Sequence, residues 1–174
     1  MFPITEEAFV QQGYYLEFNH KFKLQNHKPI ANCPQRLMRP TAILMHNRPD
    51  KRPKIAMIGG DEHRKNFIYH TGNDTWEELP TLPEKHNVSC LVALNYKDKA
   101  IFTFMADGKF NLKAAGMPFT ENADGELQGH PMTICYEEKQ EEHRMDRFHM
   151  KSACIAKDDS ILVVCRGRVP DMRE

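Results

Sequence analysis

Histidine is the residue type with the widest chemical reach in this chain, with nine copies among 174 residues. Its densest surroundings are Glu142, His143, Asp146 and His149, where carboxylates and imidazoles stand close together in sequence. Such a set could ligate a divalent cation. It has no recognised ligand spacing, however, and reads instead as a solvated charged segment. His86 and His149 each lie three residues before a serine that opens an apolar run, Ser89 and Ser152, so a repeated loop position accounts for both without ligation. No Gly-rich phosphate loop, Gly-x-Ser-x-Gly elbow, His-Glu-x-x-His or Cys-x-x-Cys occurs. On these grounds no catalytic residue, no bound metal and no cofactor is expected.

The bulk composition narrows the field further. Lys plus Arg and Asp plus Glu number 24 each, so no summed field draws the chain onto nucleic acid or an anionic membrane. With 40% hydrophobic and 28% charged residues, the composition is that of an ordinary soluble chain, and its length suits one domain. Glu6 and Glu7 stand where a signal peptide needs basic residues, and no apolar run approaches the roughly 20 residues of a membrane span. The five cysteines, Cys33, Cys90, Cys135, Cys154 and Cys165, are odd in number, and four sit in apolar runs, which suits free thiols. A cytoplasmic protein is expected, and the sequons at Asn73 and Asn87 are then chance matches.

The elements that must position any functional residue are short apolar runs of strand length. They fall at 41–45, 54–58, 66–69, 89–94, 100–104, 132–136, 152–156 and 160–165, rich in β-branched or aromatic residues and bounded by Gly, Pro, Asn or Asp. The fold class is therefore all-β. Residues 137–147 contain helix formers but almost no apolar stripe, so a charged turn or strand extension fits as well as a helix. Three segments share one plan of strand, polar turn and second strand, which predicts hairpins near 41–60, 89–106 and 152–166. In their second strands Ile55, Ile101 and Ile161 come into register, 46 and then 60 positions apart. That is close to the period of roughly 40–50 residues per propeller blade.

Between the first two hairpins the chain runs Ile58-Gly59-Gly60, a polar loop, Phe67-Ile68-Tyr69, a turn, Trp76, and then Leu79-Pro80. This order resembles a Kelch repeat. It covers one good repeat, roughly 38–84, and two degraded neighbours, in which Met105-Ala106 and Cys165-Arg166 replace the glycine pair. The same residues would also serve as a turn and core in another β-sandwich. In the Kelch-like register Gly59 or Gly60 takes a positive φ, Trp76 is largely buried between two sheets, and Phe22 stands in the first half-blade where Trp76 stands in the next. The chain then divides into an N-terminal segment, 1–28, contributing outer blade strands, and the repeats, 29–174.

What the resemblance implies for function is recognition by loops. Kelch-like propellers bind partner proteins through the loop after the Gly-Gly strand and the loop entering the next blade. Those loops place Asp61, Glu62, His63, Arg64, Lys65 and Lys109 in one class and Arg36, Arg39, Lys85 and His86 in the other. Arginine forks suit a partner's carboxylates, so Arg36, Arg39 and Arg64 are the first expected contacts. The expected function is a non-catalytic protein-interaction scaffold; a structural subunit of a large filament or bundle, or a propeller enzyme acting on sugars, are the alternatives. At about 50 residues per repeat the chain amounts to roughly three and a half blades, fewer than the four of a closed ring. A homodimer, or completion by another chain, is expected to satisfy the open edges.

Overall fold

The structure, a computed structural model, describes residues 13–35, 37, 40–45, 52–59, 64–83, 91–106, 112–123, 127–138, 147–155 and 160–168. Among these residues there is no helix, and thirteen strands run in antiparallel sheets. An all-β fold follows.

Strands β3 (Thr41–Met45), β4 (Lys54–Ile58), β5 (Asn66–His70) and β6 (Thr75–Leu79) form a four-stranded meander in sequence order. Because side chains alternate across a strand, its register sorts residues into two faces. Ile43, Ala56 and Ile68 lie in one cross-strand row, and Leu44, Ile55, Tyr69 and Trp76 in the next row on the opposite face. The first face is the drier: Met45, Ala56 and Ile58 are fully buried.

The second sheet begins with β7 (Leu91–Tyr96), β8 (Ala100–Ala106) and β9 (Leu112–Glu121). Two shorter strands share the outer edge of β9. β10 (Leu127–Gly129) pairs with its residues 119–121, and β11 (Thr133–Glu138) with residues 112–116. They behave as one interrupted fourth strand, and at the break the His130 amide donates to the Pro118 carbonyl at 2.9 Å. Met132, in that break, turns into the core.

One hydrophobic cluster joins the two sheets: Ile43, Met45, Ala56, Ile58, Ile68 and Leu79 from the first meet Ile101, Met105, Ala115, Met117 and Phe119 from the second. Ala115 is wholly buried, and its small side chain leaves room for the larger neighbours. The first strands of the two sheets, β3 and β7, lie side by side. Thr41 Oγ1 donates to the Leu91 carbonyl at 3.4 Å, and Asn95 Nδ2 donates to the Leu44 carbonyl at 3.0 Å.

Two hairpins complete the chain. β1 (Tyr14–Phe18) pairs with β2 (Leu24–Pro29), and β12 (Arg147–Ile155) with β13 (Ile161–Arg168), β12 lying beside β7. The turn of the first hairpin is closed by Asn19, whose Oδ1 accepts from the amides of Lys21 and Lys23 at 2.9 and 3.1 Å. Phe22 sits in that turn at a φ of 56° and is 89% exposed, so it does not occupy the place that Trp76 takes in β6. The charged run expected as helix, turn or strand extension begins as the end of β11 and ends as the start of β12, with 139–146 outside the described residues.

Candidate interaction surface

The end of the first sheet that leads into the loop after Gly59 is held by a buried amide. Asn66, fully buried at the start of β5, accepts from the Gly59 amide through Oδ1 at 2.8 Å and donates Nδ2 to the Pro80 carbonyl at 2.6 Å. One side chain thus ties the exit of β4 to the exit of β6. Gly59 has a φ of 64°, in the left-handed region where a Cβ meets steric resistance. The sequence reading placed a positive φ at Gly59 or Gly60, and Gly59 is where it falls.

Arg64 and Lys65 follow on the other side of that loop. Arg64, at a φ of 60°, accepts from the Leu82 amide through its carbonyl at 2.9 Å, and its Nη1 donates to the Pro83 carbonyl at 2.9 Å. Lys65 Nζ lies 3.1 Å from the carboxylate of Glu78. Both cations expected to meet a partner are engaged within the sheet. Their remaining donors can still face outward, since guanidinium carries five N–H groups and ammonium three. Of the other expected contacts, Arg36, Arg39, Asp61, Glu62, His63, Lys85, His86 and Lys109 lie outside the described residues, as does Gly60. Leu79 is buried and Pro80 half-buried, both at the end of β6 where the motif placed them.

Tyr69 and Trp76, marked in the sequence as framework, form with the unmarked Asp74 and Ala31 a second locus, on the face of the first sheet turned away from the second. Trp76 stacks on Tyr69 with ring centroids 5.0 Å apart, and its Nε1 donates to the Ala31 carbonyl at 2.8 Å. Asp74, in the β5–β6 turn at a φ of 58°, accepts from the Ala31 amide at 2.8 Å and from the Tyr69 hydroxyl at 2.6 Å. Both polar groups of Ala31 are therefore pinned to the sheet, and through them the connector that runs from β2 to β3. The bond from the Ala31 amide, with that from Tyr69, holds the Asp74 carboxyl below its usual range. Burial, helped by the neighbouring carboxylate, pushes the Tyr69 hydroxyl up to about 12. Trp76 is half-buried rather than largely buried between two sheets, since its row lies on the face opposite the core shared with the second sheet.

Two recesses open on this face. One, apolar and of about 320 Å³, is lined by Ile30, Cys33, Leu37, Ile55, Met57 and Trp76 among others; the second, of about 520 Å³ and mixed in character, lies between β1–β2 and the β4–β5 end of the sheet, with Asn26, Lys28 and Arg52 in its lining. Burial pushes the Cys33 thiol above its ordinary value, as expected for a thiol that serves as an apolar lining group. Among the described residues no three His, Cys, Asp or Glu side chains gather as a metal site, and the side chains of Glu142, His143, Asp146 and His149 lie outside that set. Among the described residues, no helix is long and apolar enough to cross a membrane. The chain matches no protein-family model and no curated protein.

Proposed function

We propose that this chain is a section of a Kelch-like β-propeller that serves as a non-catalytic scaffold for a protein partner. The observation that carries the reading is a packing relation that repeats. β7 lies beside β3, β12 lies beside β7, and each of these strands is the first of an antiparallel unit. The connectors 30–40 and 80–90, leading from β2 to β3 and from β6 to β7, are equal in length. Radial repetition of four-stranded antiparallel sheets is the propeller architecture. The buried Asn66, the positive φ of Gly59 and the Tyr69–Trp76 pair give the repeat a rigid frame.

Such a frame holds loops at its rims, and recognition falls to the loops around 35–39, 61–65, 84–87 and 107–109. Arg36 and Arg39 offer carboxylate-binding forks, while Arg64 and Lys65 fix the loop base through Pro83 and Glu78. The test is affinity capture of the full chain from native extract beside two loop variants, Arg36→Glu with Arg39→Glu, and Lys85→Glu with His86→Glu. A stoichiometric complex should be lost in the variants while their melting temperatures stay within a few degrees of the parent. Complexes indifferent to both pairs of changes, or reproducible turnover of sugars by the purified chain, would defeat the proposal. A structural subunit is the second reading, favoured by the exposed Tyr14, Leu16, Phe18 and Leu24 of the first hairpin. It predicts that native extract holds the chain only within a large assembly.

A further inference from the structure

The two hairpins are complementary halves of one sheet. β12–β13 stands in the inner position, with β12 beside β7 just as β7 is beside β3, yet among the described residues β13 is paired only with β12. β1–β2 stands in the outer position. A shift of 50 residues, the offset between Thr41 and Leu91 that brings β3 onto β7, also brings β2 onto β6, the outermost strand of the first sheet. Among the described residues β1 is likewise paired only with β2. Among the described residues, one hairpin therefore lacks an outer pair and the other an inner pair.

The apolar faces match in the same way. On β12–β13, Ala153, Ile155, Ile161 and Val163 share a half-buried face, whereas Leu162 and Val164 on the opposite face are 57% and 46% exposed. On the first sheet's outward face, the outer strands are covered: Phe67 and Tyr69 are buried. The inner strands are not, with Leu44 49% exposed and Ile55 and Met57 half-buried. The corresponding inner position on the sheet's other face is filled by β7 and β8. What fits the open position is therefore an inner hairpin with an unpartnered apolar face, and this chain displays one.

We infer that the occupant is a second copy of the chain: β12–β13 of each copy lies over β3–β4 of the other, with Leu162 and Val164 against Leu44, Ile55 and Met57, and β13 adds to the edge of the other copy's β1. The inference rests on the propeller reading above. Two sheets and two half-sheets per copy then give a six-bladed ring with two-fold symmetry, in which each free edge of one copy is paired by the other. A single copy cannot pair its own halves, because two intact sheets stand between them and three blades are too few to close.

Light scattering and sedimentation on the full chain test this. The parent should run at twice 20.3 kDa on dilution to low micromolar concentration. Leu162→Lys with Val164→Lys, and separately Leu44→Lys, should each weaken self-association on the order of a hundredfold, because a lysine buried there has no partner. Mixing the two variants should restore dimers, since one of the two contacts in the mixed pair is intact. Trp76 emission, unchanged in the variants, reports that each still folds, and Leu162→Ala with Val164→Ala provides a milder change if it does not. A folded monomeric parent, or a dimer indifferent to both variants, overturns the inference but leaves the scaffold reading standing. A dimer whose X-ray scattering shows an elongated rather than a ring-like particle overturns both.

Discussion

Replacing Asn66 should do more damage than its size suggests. The side chain is fully buried and serves two backbone groups, the Gly59 amide at 2.8 Å and the Pro80 carbonyl at 2.6 Å. Asn66→Ala removes two hydrogen bonds, each worth about 1 kcal/mol net, and strands the Gly59 amide in a buried site at a further 1–3 kcal/mol or so. The expected loss is about 3–5 kcal/mol, or roughly 6–20 °C in melting temperature for a chain of this length. Asn66→Asp separates the two bonds. The new carboxylate keeps the acceptor for Gly59 but faces the Pro80 carbonyl with no proton to donate. Burial raises the folded-state pKa of such a carboxyl, so the folded state holds the proton more tightly. This variant should therefore be most stable below about pH 4, and lose stability as pH rises above the unfolded carboxyl value of roughly 3.9. Urea unfolding followed by the single tryptophan, Trp76, measures both variants across pH. An Asn66→Ala variant within about 0.5 kcal/mol of the parent, or an Asn66→Asp variant with no pH dependence beyond the parent's, would refute the role given to this amide.

Gly59→Val should cost about 1–2 kcal/mol through its positive φ, and Gly59→Asn distinctly less, as read from denaturant midpoints. Trp76→Phe, which keeps a ring against Tyr69 but loses the donor to Ala31, should cost about 1 kcal/mol; a neutral result would mean that the Ala31 bond contributes nothing. The pinned connector should loosen at both ends of the pH scale. Asp74, with a lowered carboxyl pKa, contributes above its unfolded value and loses that contribution as acid protonates it; Tyr69, raised to about 12, contributes below about pH 10 and loses it as pH climbs toward 12. Trp76 emission should shift to the red in both windows; Tyr69→Phe should abolish the alkaline component and weaken the acid one, which the Ala31 amide still maintains.

Much of the fold was readable because strand alternation and hairpin turns are local properties. Runs such as 41–45 and 54–58 show their period in the sequence itself, and they are β3 and β4. β9 escaped the same reading. Gly116 and Pro118 look like breakers, and its Ala114 and Ala115 have little strand preference; it is a strand because β8 pairs with one edge and β10 and β11 with the other. Phe22 misled for the opposite reason. It matches Trp76 as an aromatic after a strand, but it falls in the turn closed by Asn19, where its ring is exposed.

For the surface the division is the same. The Gly-Gly, Trp and Leu-Pro spacing marked Gly59, Tyr69, Trp76, Leu79 and Pro80 as framework, because a strained turn and a large aromatic leave local signatures. Nothing local marked Asn66, whose amide pattern matters only once Gly59 and Pro80 are brought to it, or Asp74, whose partner Ala31 lies 43 residues away. A polar side chain acquires such roles from whichever backbone groups the sheets leave unpaired, and those are decided when strands distant in sequence close upon one another.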